Sequence, residues 1–159
     1  MSITIRAGLK PGDLGYITYL HGKIYAEEYG FDTSFEPYVA RPLSDFSLSE
    51  NQRQKIWIVE KAGEIIGSIA IVDAGDNIAQ LRWLLLTKEN RGQGIGKKLM
   101  QYAVDFCSEQ CFDGVFLWTV DLLEAAAGLY SSFGFEVSEE KRHMLWGQML
   151  NEQRYDLKL

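Results

Sequence analysis

A strand, a glycine-rich turn and an amphipathic helix follow one another between residues 78 and 110. The predicted strand, Ile78 to Leu86, ends in an apolar block, and the segment Arg91-Gly92-Gln93-Gly94-Ile95-Gly96 follows closely. Apolar residues then recur at helical spacing from Gly94 to about Gln110. The first backbone N–H groups of such a helix have no internal partner, and glycine lets a ligand approach them closely. The segment therefore predicts an anion-binding site.

The local charge supports an anionic ligand. The chain has a net charge of −6, yet the stretch from Lys88 to Lys98 holds four basic residues and one acidic residue. A local reversal of sign of this kind suits a polyphosphate. The acidic chain as a whole argues against general nucleic-acid binding, which needs a basic surface.

The glycine spacing excludes two common phosphate motifs. A dinucleotide fingerprint would need glycine where Lys97 stands. A P-loop ending at Lys97 would need glycine at Arg91 and a hydroxyl residue at Lys98. The pattern that remains is Arg-x-x-Gly-x-Gly at Arg91, Gly94 and Gly96.

The rest of the chain predicts one α/β domain over residues 1–159 without repeats or linkers. The expected order is β-α-α-β-β-β-α-β-α-β-β, a mixed sheet with helices on its faces. Asp13 is expected to cap the first helix. The expected elements are strands at 2–6, 55–60, 65–72, 78–86 and 115–120, helices at 14–29, 34–46, 94–110 and 122–133, and two strands joined near Trp146-Gly147 within 135–159.

Two motifs at a characteristic separation resemble the GNAT acyltransferase superfamily. Its pyrophosphate motif, (Arg/Gln)-x-x-Gly-x-(Gly/Ala), is similar to Arg91 to Gly96, and its Leu-Tyr-x-x-x-Gly-Phe ending is similar to residues 129–135. The expected element order also resembles that family, over nearly the whole chain. More narrowly, His21, Tyr25, residues 28–30, Phe35-Glu36 and 117–119 resemble the acetyltransferase half of MarR-type regulator fusions. Two departures are Lys88, where proline is common, and Leu123, where asparagine is common.

The resemblance implies an acetyl-CoA-dependent N-acetyltransferase with an α+β GNAT fold and a mostly antiparallel sheet. An amine of a small molecule, amino acid or peptide would attack the thioester directly, and Tyr130 would assist the departing thiolate. Backbone N–H groups where two strands splay would hold the carbonyl oxygen. The implied cofactor-binding residues are Leu84, Leu85, Leu86, Arg91, Gly92, Gln93, Gly94, Ile95, Gly96 and Lys97.

The amine must be neutral to attack, so a base or a desolvating pocket is needed. Glu28 is the preferred candidate base, and Glu27, Glu36, Asp73 and Asp121 are the others. Arg82, on the face expected to carry Gln80 and Leu84, either pairs with an acceptor carboxylate or faces solvent. The aromatic-rich segment 16–38 is expected to border the acceptor. The candidate substrate-binding residues are His21, Tyr25, Tyr29, Phe35 and Arg82.

An alternative function is a non-catalytic acyl-CoA-binding sensor. The N-terminus lacks a secretory layout and no apolar run reaches the length of a membrane span, so a cytoplasmic protein without membrane contact is expected. A homodimer is compatible with this sequence. Cys107 and Cys111 are four residues apart on an expected helix, where they are interpreted as small packing residues. With two histidines and no CxxC pair in the chain, no metal site is expected.

Overall fold

The computed structural model describes residues 2–159 and contains a seven-stranded sheet with helices on both faces. The predicted element order is confirmed. The strands are β1 (Ile3–Ala7), β2 (Lys55–Lys61), β3 (Glu64–Asp73), β4 (Ile78–Leu86), β5 (Gly114–Val120), β6 (Glu136–Leu145) and β7 (Gln148–Lys158). The helices are α1 (Asp13–Tyr29), α2 (Phe35–Leu48), α3 (Ile95–Glu109) and α4 (Glu124–Ser132).

The strand order in the sheet is β1-β2-β3-β4-β5-β7-β6. Every neighbouring pair is antiparallel except β4 and β5, which run parallel. Tight turns join β2 to β3 and β6 to β7, whereas the parallel pair needs the long crossover through α3. That crossover begins with the glycine segment, so the fold puts this segment at the carboxyl end of β4.

Each face of the sheet carries its own apolar core. On one face α3 packs through Leu99, Met100 and Ala103, all fully buried, against β2, β3 and β5. On the other face α1 and α2 pack through Ile17 and Leu43. Burial alternates along β4, but the buried side chains change sides of the sheet: Ala79 and Leu81 belong to the α3 core, whereas Trp83 belongs to the core of α1 and α2.

Two sequence predictions about single residues are wrong. Asp13 does not cap α1, because Gly12 occupies the cap position and Asp13 is the first helical residue. Its carboxylate instead accepts hydrogen bonds from the backbone N–H of Lys10 at 2.7 Å and the guanidinium of Arg6 at 2.9 Å. Cys107 is buried in α3 as expected, but Cys111 lies beyond the end of that helix and is exposed.

Within residues 2–159, no helix combines the length and the hydropathy that a membrane span requires.

Candidate active site

The parallel strands β4 and β5 separate shortly after they begin to pair. Their pairing runs only from Ile78, opposite Gly114, to Gln80, opposite Phe116. Beyond that point β5 continues to pair with β7, as far as Val120. β4 continues to pair with β3, as far as Leu86. The edge of β4 that faces β5 is therefore open near Leu84 to Leu86, where splayed strands were predicted.

β4 carries a β-bulge in the region where it no longer pairs with β5. In the register between β3 and β4, Ser68 lies opposite Leu85 and Ala70 lies opposite Arg82, so β4 carries one extra residue. Trp83 has a φ of 53° in this bulge, which is unusual for an aromatic residue. The hydroxyl of Ser68 donates a hydrogen bond to the carbonyl of Trp83 at 2.7 Å and holds the bulge in place.

The bulge also decides where Arg82 points. Leu81 and Leu84 both pack on the α3 side of the sheet. Trp83 contacts the ring of Phe46 in α2, and the Arg82 guanidinium lies 5.9 Å from the ring centre of Tyr38 in the same helix. The predicted shared face of Arg82 and Leu84 is therefore wrong, because an extra residue breaks the strict alternation of a strand. Arg82 faces the α1–α2 layer.

The amino end of α3 has the backbone geometry of an anion site. Gly94 is the helix cap with a φ of 82°, and Gly92 has a φ of 75°. A Cβ atom added to either glycine would meet no atom within 4 Å, so the space outside this turn is open. Lys97 and Lys98 lie exposed in the first turn, as predicted. Free N–H groups, the helix dipole and these two cations favour a negatively charged group here.

A cleft of about 1110 Å³, part of it open to solvent and called here the glycine cleft, runs from this turn along α4 and the end of β4. It contains most of the predicted cofactor-binding positions, but Ile95 is buried in the core and Gln93 is exposed. The lining residues are Tyr25, Tyr29, Leu84, Leu85, Leu86, Arg91, Gly92, Gly94, Gly96, Lys97, Leu123, Ala125, Ala126, Leu129 and Tyr130.

Arg91 forms an ion pair with Glu28 at the rim of this cleft. Two guanidinium nitrogens donate to the two carboxylate oxygens, at 2.5 and 2.7 Å, and Nε donates to the carbonyl of Leu86 at 3.1 Å. The hydrogen bonds from Arg91 lower the pKa of Glu28 below its usual range. A carboxylate held in this way is a weak base, so the geometry argues against the predicted role of Glu28 in proton removal.

A second cavity, called here the aromatic cavity, has a volume of about 750 Å³, part of it open to solvent. It lies between α1, α2, β4, β5 and the β6–β7 turn. The predicted residues His21, Tyr25, Phe35 and Arg82 line it, whereas Tyr29 lines the glycine cleft instead. The lining residues are His21, Tyr25, Phe31, Phe35, Tyr38, Val39, Gln80, Leu81, Arg82, Trp83, Leu84, Leu117, Trp118, Thr119, Val120, Leu123, Tyr130, Trp146 and Glu152.

His21 is buried in the wall of the aromatic cavity. Nδ1 lies 2.8 Å from the carbonyl of Ile17, one helical turn earlier, and Nε2 has no hydrogen-bond partner within residues 2–159. Burial lowers the pKa of His21 from 6.5 to about 4, so the ring is neutral at physiological pH. A neutral ring that donates from Nδ1 to a carbonyl leaves Nε2 as a bare acceptor.

The two cavities meet at a shared wall. Tyr25, Leu84, Leu123 and Tyr130 line both of them. Tyr130 is 6% exposed, and burial raises the pKa of its hydroxyl, so it stays protonated and able to donate. Tyr25 is affected in the same way, with its pKa also raised by burial. The two cavities therefore adjoin at two protonated phenols, Tyr25 and Tyr130.

Several lining residues were missed from the sequence. Trp146 and Glu152 come from the β6–β7 hairpin, and Thr119 comes from β5. No motif marks Trp146 or Glu152, because they reach the cavity only through the order of strands in the sheet. Thr119 lies in the segment 117–119 that carries the resemblance to the fusion proteins, but it was not among the predicted substrate-binding residues. The dense aromatic residues of α1 and α2 were the one local signal, and Trp146 joins them at 4.9 Å from Phe31 and 4.8 Å from Phe35 between ring centres.

A model of the acetyltransferase (GNAT) family matches residues 21–135, so the chain belongs to this family. N-acetyltransferase family 8 member 3 from Rattus norvegicus is 36% identical over 89 residues, 53% of this chain and 39% of that protein. The probable N-acetyltransferase camello from Xenopus tropicalis is 29% identical over 133 residues, 77% of this chain and 59% of that protein. The chain thus spans about half the length of the curated relatives it matches.

Solved structures share the fold over almost the entire chain. An acetyltransferase of the GNAT family from Staphylococcus aureus Mu50 has a TM-score of 0.79 at 22% identity, covering 99% of both chains. The protein yncA from Salmonella typhimurium, solved with its cofactor acetyl-CoA, has a TM-score of 0.80 at 16% identity. It covers 99% of this chain and 94% of its own. At these identities the likeness concerns the fold.

Proposed function

We propose that this chain is an N-acetyltransferase that moves an acetyl group from acetyl-CoA to a primary amine by direct attack. The observation that carries the proposal is the wall shared by the two cavities. A donor in the glycine cleft and an acceptor in the aromatic cavity would meet beside Tyr130 without a covalent enzyme intermediate. Family membership and the yncA structure with its cofactor support the same donor.

The residues of the glycine cleft fit coenzyme A. Its pyrophosphate suits the helix cap at Gly94, where open space adjoins free N–H groups and Lys97. Gly96 is more crowded, because an added Cβ would lie 3.3 Å from Leu129. We assign the pyrophosphate to the backbone from Arg91 to Lys97, including the N–H groups of Gln93 and Ile95. The bound cofactor would supply an acetyl group activated as a thioester.

Two sets of donors serve the transfer in this proposal. Backbone N–H groups of Leu84 to Leu86, on the open edge of β4, stabilise negative charge on the acetyl oxygen. The hydroxyl of Tyr130 donates a hydrogen bond to the sulfur. Transfer joins the amine nitrogen to the acetyl carbon and breaks the carbon–sulfur bond, whose electron pair leaves with sulfur. The amine loses one proton to solvent.

The amine must first be neutral, and we assign this task to the cavity itself. An alkylamine has a pKa of about 10.4, so only about one molecule in a thousand is neutral at pH 7.4. Apolar and aromatic walls disfavour the charged form and lower the amine's pKa. This desolvation takes the place of Glu28, whose carboxylate is held by Arg91.

The finer resemblance to the acetyltransferase half of MarR-type regulator fusions stays a proposal about ancestry. Its residues His21, Tyr25 and Phe35 line the aromatic cavity, whereas residues 28–30 lie at the end of α1. The resemblance therefore points to a shared acceptor region rather than to a shared donor site.

The proposal is tested by measuring coenzyme A release from acetyl-CoA with a panel of amines, and acetyl-CoA binding by calorimetry. Release that depends on an amine, with the N-acetyl product identified by mass spectrometry, is the expected result. Tight binding of acetyl-CoA without turnover on any amine would instead support the sensor. ATP in place of acetyl-CoA is the control for a general phosphate site.

A further inference from the structure

Arg82 is a half-buried cation without a carboxylate partner. It projects from the bulge of β4 into the aromatic cavity, where its guanidinium lies 5.2 Å from the ring centre of Trp83 and 5.9 Å from that of Tyr38. Among residues 2–159 it forms no ion pair and no side-chain hydrogen bond. Burial lowers its pKa, which reflects the cost of taking an unpaired charge out of water.

The one acidic residue among those that line the cavity is engaged elsewhere. The carboxylate of Glu152 in β7 lies 2.9 Å from Nε2 of His143 in β6. The guanidinium thus lies beside two aromatic rings, and within residues 2–159 its N–H donors have no hydrogen-bond partner. A ligand carboxylate fits this donor set, because guanidinium binds it through two parallel hydrogen bonds.

A second unsatisfied polar group lines the same cavity from another element. His21 is 3% exposed, and Nδ1 is fixed to the carbonyl of Ile17, so Nε2 lies on the side of the ring away from the helix backbone. The buried hydroxyl of Thr119 in β5 also lacks a partner within residues 2–159. Buried polar groups normally find a partner, so these two atoms indicate a ligand that supplies one. A bare imidazole nitrogen fits an N–H donor.

The remaining wall is aromatic. Phe35, Tyr38 and Trp146 are in mutual contact, with ring centres 4.8 to 6.0 Å apart. The backbone N–H of Asp32 donates to the carbonyl of Trp146 at 3.1 Å, which ties the β6–β7 turn to the loop after α1. The cavity therefore offers the cation of Arg82, the acceptor nitrogen Nε2 of His21 and an aromatic surface fixed by the contacts of Trp146.

We infer that the acceptor is a free α-amino acid with an apolar or aromatic side chain. Its carboxylate pairs with Arg82, its amine donates to Nε2 of His21, and its side chain packs on Phe35, Tyr38 and Trp146. Peptide N-termini and protein lysines lack a carboxylate beside the amine, so they fit this cavity less well. Acetylation of the amino acid rests on the proposed function, whereas binding of its carboxylate to Arg82 does not depend on any reaction.

The first experiment compares L-phenylalanine with L-phenylalaninamide and phenethylamine as acceptors at saturating acetyl-CoA. All three carry the same ring, and only the first carries a carboxylate. The amide is the less basic amine and has more neutral nitrogen at pH 7.5, so amine reactivity alone would favour it. A kcat/KM at least 10-fold higher for phenylalanine is expected, because a charged hydrogen-bonded pair contributes about 10- to 100-fold in affinity.

The second experiment changes the cation. Arg82→Met keeps an unbranched apolar stem and removes the guanidinium with its charge, and Arg142→Met makes the same change at an exposed position of β6. Arg82→Met is expected to weaken phenylalanine binding, measured by calorimetry with coenzyme A present, at least 10-fold. Its binding of phenethylamine and of acetyl-CoA should stay within about twofold, and Arg142→Met should change none of the three values.

The outcomes separate the two proposals. If amines are acetylated but phenylalanine shows no advantage over its amide, the acceptor inference is overturned and the enzyme remains. If phenylalanine binds in an Arg82-dependent way but no amine is acetylated, the proposed function fails and the carboxylate site stands. Equal phenylalanine affinity of the wild type and Arg82→Met would also overturn the inference.

Discussion

The contribution of the Tyr130 hydroxyl to the chemical step can be measured separately from cofactor binding. Its ring packs 5.7 Å from that of Tyr155, and burial raises the pKa of the hydroxyl. A hydroxyl with a raised pKa donates a hydrogen bond readily but gives up its proton reluctantly. It therefore suits stabilisation of a leaving thiolate rather than full protonation of it.

We predict that Tyr130→Phe lowers kcat about 100- to 1,000-fold, the usual effect of removing one well-placed donor in an active site. The dissociation constant for acetyl-CoA, measured by calorimetry, should change less than twofold because the ring remains. Tyr102→Phe is the matched control, since Tyr102 is 42% exposed on α3. An unchanged kcat in Tyr130→Phe would remove this residue from the mechanism.

His21 provides a second single-residue test, which concerns the free energy of unfolding and not the rate of the reaction. Burial lowers its folded-state pKa from 6.5 to about 4, so the unfolded chain binds more protons between these pH values. The free energy of unfolding therefore falls as the pH is lowered through this window. The expected loss from this group between pH 7 and pH 5 is about 2 kcal/mol.

The measurement is urea unfolding at pH 7 and pH 5 for the wild type, His21→Gln and His143→Gln. His21→Gln should lose about 2 kcal/mol less than the wild type between the two pH values, whatever its stability at pH 7. His143→Gln, at a more exposed site on β6, should keep the dependence that His21 causes. Equal pH dependence of the wild type and His21→Gln would show that His21 titrates normally.

At the scale of elements, the start of α3 is the feature that local sequence predicts best. Strand, glycines and an amphipathic helix are consecutive in the chain, so their order needs no tertiary information. The bulge at Trp83 is different, because it is defined by which residues of β3 lie opposite it. The ion pair between Arg91 and Glu28 joins residues that are 63 positions apart, so the sequence did not predict it either. The start of α3 was thus predictable from the sequence, whereas the orientation of Arg82 was not.

We predict that Gly94→Ala weakens coenzyme A binding at least 10-fold, because a methyl group would enter the open space at the helix cap. Gly12 is a matched control, since it caps α1 with a φ of 92° and also has no atom within 4 Å of an added Cβ. Both substitutions put alanine at a positive φ and should each cost about 1 kcal/mol of stability. Only Gly94→Ala should alter the dissociation constant measured by calorimetry. Equal affinities in the two variants would place the pyrophosphate elsewhere.

At the scale of the whole molecule, the separation of β4 from β5 bears on the kinetic mechanism of the enzyme. The glycine cleft and the aromatic cavity share four lining residues and otherwise have different linings, so each offers its own site to a ligand. A mechanism through an acetylated enzyme would need a nucleophile in that wall. Within residues 2–159, Cys107 is buried in the core with its pKa raised to about 12, and neither cysteine lines the two cavities.

The enzyme should therefore follow sequential rather than ping-pong kinetics. Double-reciprocal plots at several amine concentrations should intersect, and incubation with acetyl-CoA alone should leave the mass of the protein unchanged. A Cys107→Ala, Cys111→Ser double variant should keep kcat within about twofold, because neither thiol can reach the shared wall. Parallel plots together with a mass increase of one acetyl group would contradict the direct transfer that the joined cavities indicate. Such a result would move the search for a nucleophile to the hydroxyl groups that line them.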